Sequence, residues 1–146
     1  MIKGGFCALI FHTKYTVIFM QKQSLKQQQL EALEELYHYT QKLIPAIETV
    51  SGELKGSRQE DTDDYIKSII NGINWTIEVL NRTMELVNEE EVIIDKERVN
   101  SGILSLGEAI KEKDDEKIAD TLTVEIIPFL TNLSIRAAVL TNQVLN

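Results

Sequence analysis

Residues 61–87 read DTDDYIKSIINGINWTIEVLNRTMELV, and this stretch decides the fold. Tyr65, Ile66, Ile69, Ile73, Ile77, Leu80, Met84 and Val87 recur at three- and four-residue intervals, the spacing of one face of an α-helix. Asp61 and Thr62 open the run, and Asp63 and Asp64 fall in the first turn, where carboxylates suit the helix dipole. The same spacing extends outward in both directions. Upstream, Leu30, Leu33, Leu36, Tyr37, Leu43, Ile44, Ile47 and Val50 predict a helix with Ser24 as N-cap and Gly52 as C-cap. Gly56-Ser57-Arg58-Gln59 reads as the intervening loop. Downstream, Asp95 is the expected N-cap of a shorter helix to about Lys113, carrying Val99, Ile103, Leu106 and Ile110. Gly102 and Gly107 each weaken it by about 1 kcal/mol relative to Ala, so packing must hold it. Asp114-Asp115-Glu116 announces a fourth helix toward Val144, with Ile118, Leu122, Ile126, Phe129, Leu133, Ala137, Leu140 and Val144 as its main face. The expectation is an all-α four-helix bundle whose third helix is the shortest.

Both prolines fall inside predicted helices. Leu43-Ile44-Pro45-Ala46-Ile47 and Ile126-Ile127-Pro128-Phe129-Leu130 share a local context. A proline in a helix interior cannot donate to the carbonyl four residues back, so kinks are expected at Pro45 and Pro128. The shared context covers about five residues, too few to argue for duplication over two independent bends.

Length and composition fit one domain over 24–146, preceded by an N-terminal arm over 1–23. The chain has 146 residues, 43% of them hydrophobic and 26% charged, with two prolines and seven glycines. Disordered and collagen-like classes are thereby excluded. No apolar run reaches the 18 or so residues of a membrane span. A net charge of -8 disfavours nucleic acid, whose phosphates demand clustered Lys and Arg. Cys7 is the single cysteine, which excludes an internal disulfide and a cysteine-based zinc site and suits a reducing, cytoplasmic setting. The arm carries Lys3, Lys14, Lys22 and Lys26 with no acid, around the apolar runs Phe6–Phe11 and Tyr15–Met20. His12 and Lys14 interrupt it, and no small-residue cleavage site follows, so it does not read as a signal peptide. It reads as a strand-like arm on the body, or as residues upstream of a start at Met20.

The chemistry-bearing residues are few. Glu35 and His38 form Glu-x-x-His, half of a di-iron carboxylate motif, but His12, the other histidine, has no such partner. Helical geometry also turns Glu35 and His38 away from the apolar face, so neither metal nor cofactor is expected. An exposed helical His38 with Lys42 one turn later loosely resembles a histidine-phosphotransfer site, although no glycine follows closely. Phosphate-binding glycine loops, dinucleotide fingerprints and Gly-x-Ser-x-Gly are all missing from the sequence. The acidic clusters lack the glycine and spacing of a calcium loop. An enzyme is not expected.

The second and fourth helices carry surplus apolar residues. Gly72, Trp75, Val79 and Leu86 lie well off the main face of the second helix, and Val124, Ile127, Ile135, Ala138 and Val139 off that of the fourth. Trp75, Val79, Leu86, Val124, Ile127 and Ile135 are therefore the expected interaction residues. Their cover would be the N-terminal arm, a second copy in a homodimer, a different protein, or a neighbouring helix of the same chain.

The stretch Asp114 to Leu130, with Ile118-Ala119-Asp120 leading into Glu125-Ile126-Ile127-Pro128-Phe129-Leu130, resembles small uncharacterised helical proteins of Gram-positive bacteria. Size, acidity and helix count are also similar to small flagellar export chaperones, which shield an apolar partner helix. The second apolar stripe makes a non-enzymatic interaction, scaffold or chaperone-like module the expected role, with phosphotransfer through an exposed helical His38 as the alternative.

Overall fold

The computed structural model describes residues 2–143, with side chains from Met20 onward. It is all-α. The elements are α1 (Ile2–Gly56), α2 (Thr62–Val87), α3 (Lys96–Lys111), α4 (Asp115–Thr121), a π-helical turn (Leu122–Ile126) and α5 (Ile127–Leu140). The last three form one continuous helix, so four helices build the bundle.

α1 is the spine, and both α2 and the α4–α5 helix run antiparallel to it. Gln29 donates through Nε2 to the Arg82 carbonyl (2.9 Å), while the Tyr39 and Trp75 rings meet further along the α1–α2 pair. On the other side Lys55 pairs with Asp120 (3.0 Å) and Thr40 donates to Ser134 Oγ (2.9 Å). α3 folds back on α4 and the π-turn rather than on the spine. The apolar faces converge on one core: Leu33, Leu36, Leu43, Ile47 and Val50 of α1, Ile69, Ile73 and Leu80 of α2, Leu122, Ile126, Leu130 and Leu133 of the last helix. α3 adds Leu106 and Ala109.

The helix starts are local chemistry. Asp95 accepts from the backbone N–H of Glu97 and Arg98, and Asp114 from that of Lys117. Thr62 is fully buried at the start of α2, its hydroxyl accepting from the Gln59 N–H (2.7 Å) and donating to Glu53 (3.0 Å). Arg58 in the α1–α2 loop donates to both Asp63 and Asp115, tying that loop to the start of α4.

Two expected boundaries move. Ser24 caps nothing, because α1 runs unbroken through it, and the strand-like arm is replaced by helix. How that segment packs lies outside the described side chains. Gly52 does not end α1 either. Leu54 is buried and continues the apolar face by one turn, and among the described residues no glycine adopts the positive φ of a left-handed cap. The helix stops at Gly56 instead.

The prolines are handled differently from one another. Pro45 sits inside α1 on its exposed side, with the Thr49 hydroxyl bonded to the Pro45 carbonyl (3.0 Å). Pro128 stands at the first turn of α5, directly after the π-turn, where the Ile127 N–H reaches the Leu122 carbonyl. A first-turn position asks least of a residue without an N–H.

Candidate functional site

The surplus apolar residues of α2 turn out to flank its core face. Thr76 and Thr83 are both fully buried, each donating its hydroxyl to the carbonyl four residues back, Gly72 (2.9 Å) and Val79 (2.8 Å). A threonine satisfied this way behaves as a core residue. At about 100° per residue from Tyr65, adding the threonines widens the buried face toward 0° and moves its centre from roughly 75° to roughly 55°. Gly72 and Val79 then lie at its edge, next to Thr83, and both are buried. Val79 is thus removed from any interaction surface of the folded chain. Trp75 is half-buried, edge-to-face on Tyr39 with ring centroids 5.1 Å apart, and Leu86 is half-buried against the core. Gly72 makes room for that aromatic pair: a Cβ there would run into the Tyr39 hydroxyl and lie 3.1 Å from Leu43 Cδ1.

On the last helix the outward residues stay outward. Val124 is 62% exposed, Ile135 49% and Val139 52%. Ile127 is half-buried, and Ala138 is fully buried. The one charge between residues 126 and 146 is Arg136, and it points inward. Its Nε donates to the Val87 carbonyl (3.0 Å), satisfying the last residue of α2, with Glu90 loosely opposite at 3.9 Å. The outer face of α5 therefore combines apolar side chains with an absence of exposed charge.

His38 and Glu35 both face solvent on α1, as their helical phase requires, and Lys42 is exposed one turn on. The His38 ring lies edge-on to Tyr37 at 5.3 Å. Among the described residues no three His, Cys, Asp or Glu side chains gather as a metal site would need. Nearby, Thr40, Gln41 and Ser134 form a polar seam between α1 and α5. Thr40 donates to Ser134, and so does the Gln41 amide (3.1 Å).

One concavity was not foreseen. A cleft of about 150 Å³ opens between the start of α3 and the π-turn with the first turns of α5. Ile94, Val99, Ile126 and Phe129 give it an apolar floor, and Asp95, Arg98, Glu125 and Asn132 supply polar groups. Gly102 permits the close approach of the two walls: a Cβ on it would stand 3.2 Å from the Glu125 Cβ. That glycine was the available signal, since a glycine inside a helix marks either weakness or a near neighbour. Asp95 is occupied as the α3 cap. The Arg98 guanidinium and the Glu125 carboxylate make no ion pair or hydrogen bond among the described residues.

Fold and surface together define a helical bundle whose α5 carries an uncharged apolar outer face beside a small amphipathic cleft. Residues 31–136 match the family described as Domain of unknown function (DUF8042), and the chain belongs to that family. The matched span contains α2, α3, the π-turn, the cleft and most of α5. Neither the curated proteins nor the solved structures contain a match.

Proposed function

We propose that this protein is a non-enzymatic interaction module that buries the outer face of its last helix against another helix. The observation that carries the reading is the exposure of Ile135 and Val139 on α5, a helix whose one charged side chain, Arg136, points inward; Val124 is exposed on the π-turn before it. Exposed apolar residues scattered singly need no explanation, but Ile135 and Val139 stand one turn apart on the same side of α5, with Val124 exposed further back in the π-turn. On a chain of net charge -8 most surfaces repel a second copy. This face does not, which supports a two-fold contact between identical α5 helices as the leading arrangement. Light scattering on the full chain tests it. A dimer that becomes a folded monomer on Ile135→Glu supports self-association, whereas a wild-type monomer at high concentration removes it and leaves only a foreign partner.

Solvent exposure of His38, with Lys42 a turn away, supports phosphotransfer as a second and weaker reading. Incubation with phosphoramidate would move a phosphoryl group from its nitrogen to a His38 ring nitrogen, releasing ammonia. Acid-labile phosphate absent from His38→Gln is the expected sign, and unlabelled wild type would end that reading.

A further inference from the structure

Three features outside the α5 face invite a function: the Thr40–Ser134 seam, the Tyr39–Trp75 notch and the cleft under α3. The seam is internally satisfied, and the notch is filled by its own tyrosine. The cleft is different, because two charged side chains on its rim, Arg98 and Glu125, make no ion pair or hydrogen bond among the described residues.

Its size comes first. A cavity near 150 Å³ matches roughly a benzene-sized group, well under the 300 Å³ or more that a drug-sized ligand or nucleotide occupies. The part of an occupant that enters is therefore a small group, with the rest of it at the rim. Its floor asks for an apolar body, since Ile94, Val99, Ile126 and Phe129 offer no hydrogen bonds through their side chains. The rim asks for charge of both signs. Glu125 is half-buried beside Gly102 and places its carboxylate on the cleft, where a cationic donor can reach it. Arg98, one turn earlier on α3, is solvent-exposed at the mouth of the cleft and pairs with no carboxylate of the described chain, so its guanidinium is free to turn toward an occupant. Asn132 adds an amide able to donate or accept. The wall that carries Glu125 is the π-turn itself, and such turns recur where a helix is shaped for a ligand.

We propose that this cleft binds a small zwitterion with an apolar side chain, a free α-amino acid of about leucine's size, its ammonium on Glu125 and its carboxylate on Arg98. Both leftover charges then find a partner in one molecule, and the side chain covers Phe129 and Ile126. The inference stands apart from the α5 reading, which involves neither Arg98 nor Glu125.

The test is an amide and methyl NMR titration of the full chain with three probes. L-Leucine carries both charges, leucinamide only the ammonium, and 4-methylpentanoate only the carboxylate. Leucine should give saturable shifts at Gly102 and at the Ile94 and Ile126 methyls, with each singly charged probe weaker by about tenfold. Glu125→Gln should weaken leucine and leucinamide by about tenfold while leaving 4-methylpentanoate unchanged, and Arg98→Gln should weaken leucine and 4-methylpentanoate by about tenfold while leaving leucinamide unchanged. Both positions accept glutamine without a change of fold, which the amide spectrum of each variant checks. Absence of saturable shifts with leucine would overturn the proposal. So would three probes that bind equally, or a Glu125→Gln variant that binds leucine as the wild type does.

Discussion

Gly72→Ala isolates the contact that holds α2 against α1. In an exposed helix interior this change stabilises by about 1 kcal/mol through propensity alone. Here the new methyl runs into the Tyr39 hydroxyl and lies 3.1 Å from Leu43 Cδ1. Tyr39 is 37% exposed, so its ring can swing outward, at the loss of the edge-to-face contact with Trp75 worth about 0.5–1.5 kcal/mol. Leu43 is 4% exposed and cannot leave; easing it by a few tenths of an ångström costs about 1 kcal/mol, the lower end of overpacking. The sum is a destabilisation near 1 kcal/mol, opposite in sign to the propensity effect. In a Tyr39→Ala background the largest clash is already gone, and Gly72→Ala should be close to neutral. The double-mutant cycle should therefore return a coupling of about 1 kcal/mol between positions 39 and 72. Urea unfolding followed by circular dichroism gives the energies. Trp75, the only tryptophan, reports the mechanism directly, since its emission should move to the red as Tyr39 swings away. A Gly72→Ala protein stabilised by about 1 kcal/mol, with unshifted emission and no coupling, would show that Tyr39 does not occupy the notch.

Three further outcomes follow from the same packing. Arg136→Leu strands the Val87 carbonyl at the buried end of α2 and should cost about 2 kcal/mol by chemical denaturation; a loss below about 0.5 kcal/mol would mean that water replaces the guanidinium. Ile135→Glu with Val139→Glu should change monomer stability by less than about 0.5 kcal/mol while abolishing any dimer in light scattering, because both side chains face outward; an unfolded variant would refute the assignment of that face as surface. Hydrogen bonding to Glu112 raises the Lys117 ammonium above its usual 10.5, so its contribution to stability is complete below that value and is lost as pH climbs through the raised one. Unfolding at graded alkaline pH should show this slope in the wild type and a shallower one in Lys117→Met; identical slopes would contradict the pairing.

Much of this architecture is readable from residue order, because its determinants are local. Asp95 and Asp114 cap within three residues, and the apolar intervals fix the faces of the helices they begin. The misreadings have equally physical origins. Thr76 and Thr83 look polar in a hydropathy pattern, yet each hydroxyl is satisfied one turn back, so the buried face of α2 is wider and rotated. Val79 consequently passes from expected surface to core. Ser24 has a capping side chain, but nothing around it breaks the helix, and a cap residue inside a continuing helix has no free N–H to serve. Arg136 carries no local signal of its burial, because what holds it inward is a carbonyl 49 residues away. The cleft was the least legible feature, since it exists only where α3 meets the π-turn and neither segment contains it alone.

The π-turn joins the two candidate surfaces. Val124 and Glu125 are consecutive within it, the first directed to solvent and the second lining the cleft. Pro128, one turn on, also lines the cleft and is itself exposed. A π-turn carries one residue more than an α-turn and so holds its side chains in a phase that an α-helix would not give them. Restoring α-geometry would rotate Val124 and Glu125 together, shifting one from the outer face as it withdrew the other from the cleft. Two features hold the turn in place. Gly102 lets α3 lie against Glu125, and Pro128, with no N–H, cannot rebuild the α-helical bond to Val124. A ligand that moved Glu125 would therefore be felt at Val124 through a single peptide bond, the shortest route by which cleft and outer face could act on each other.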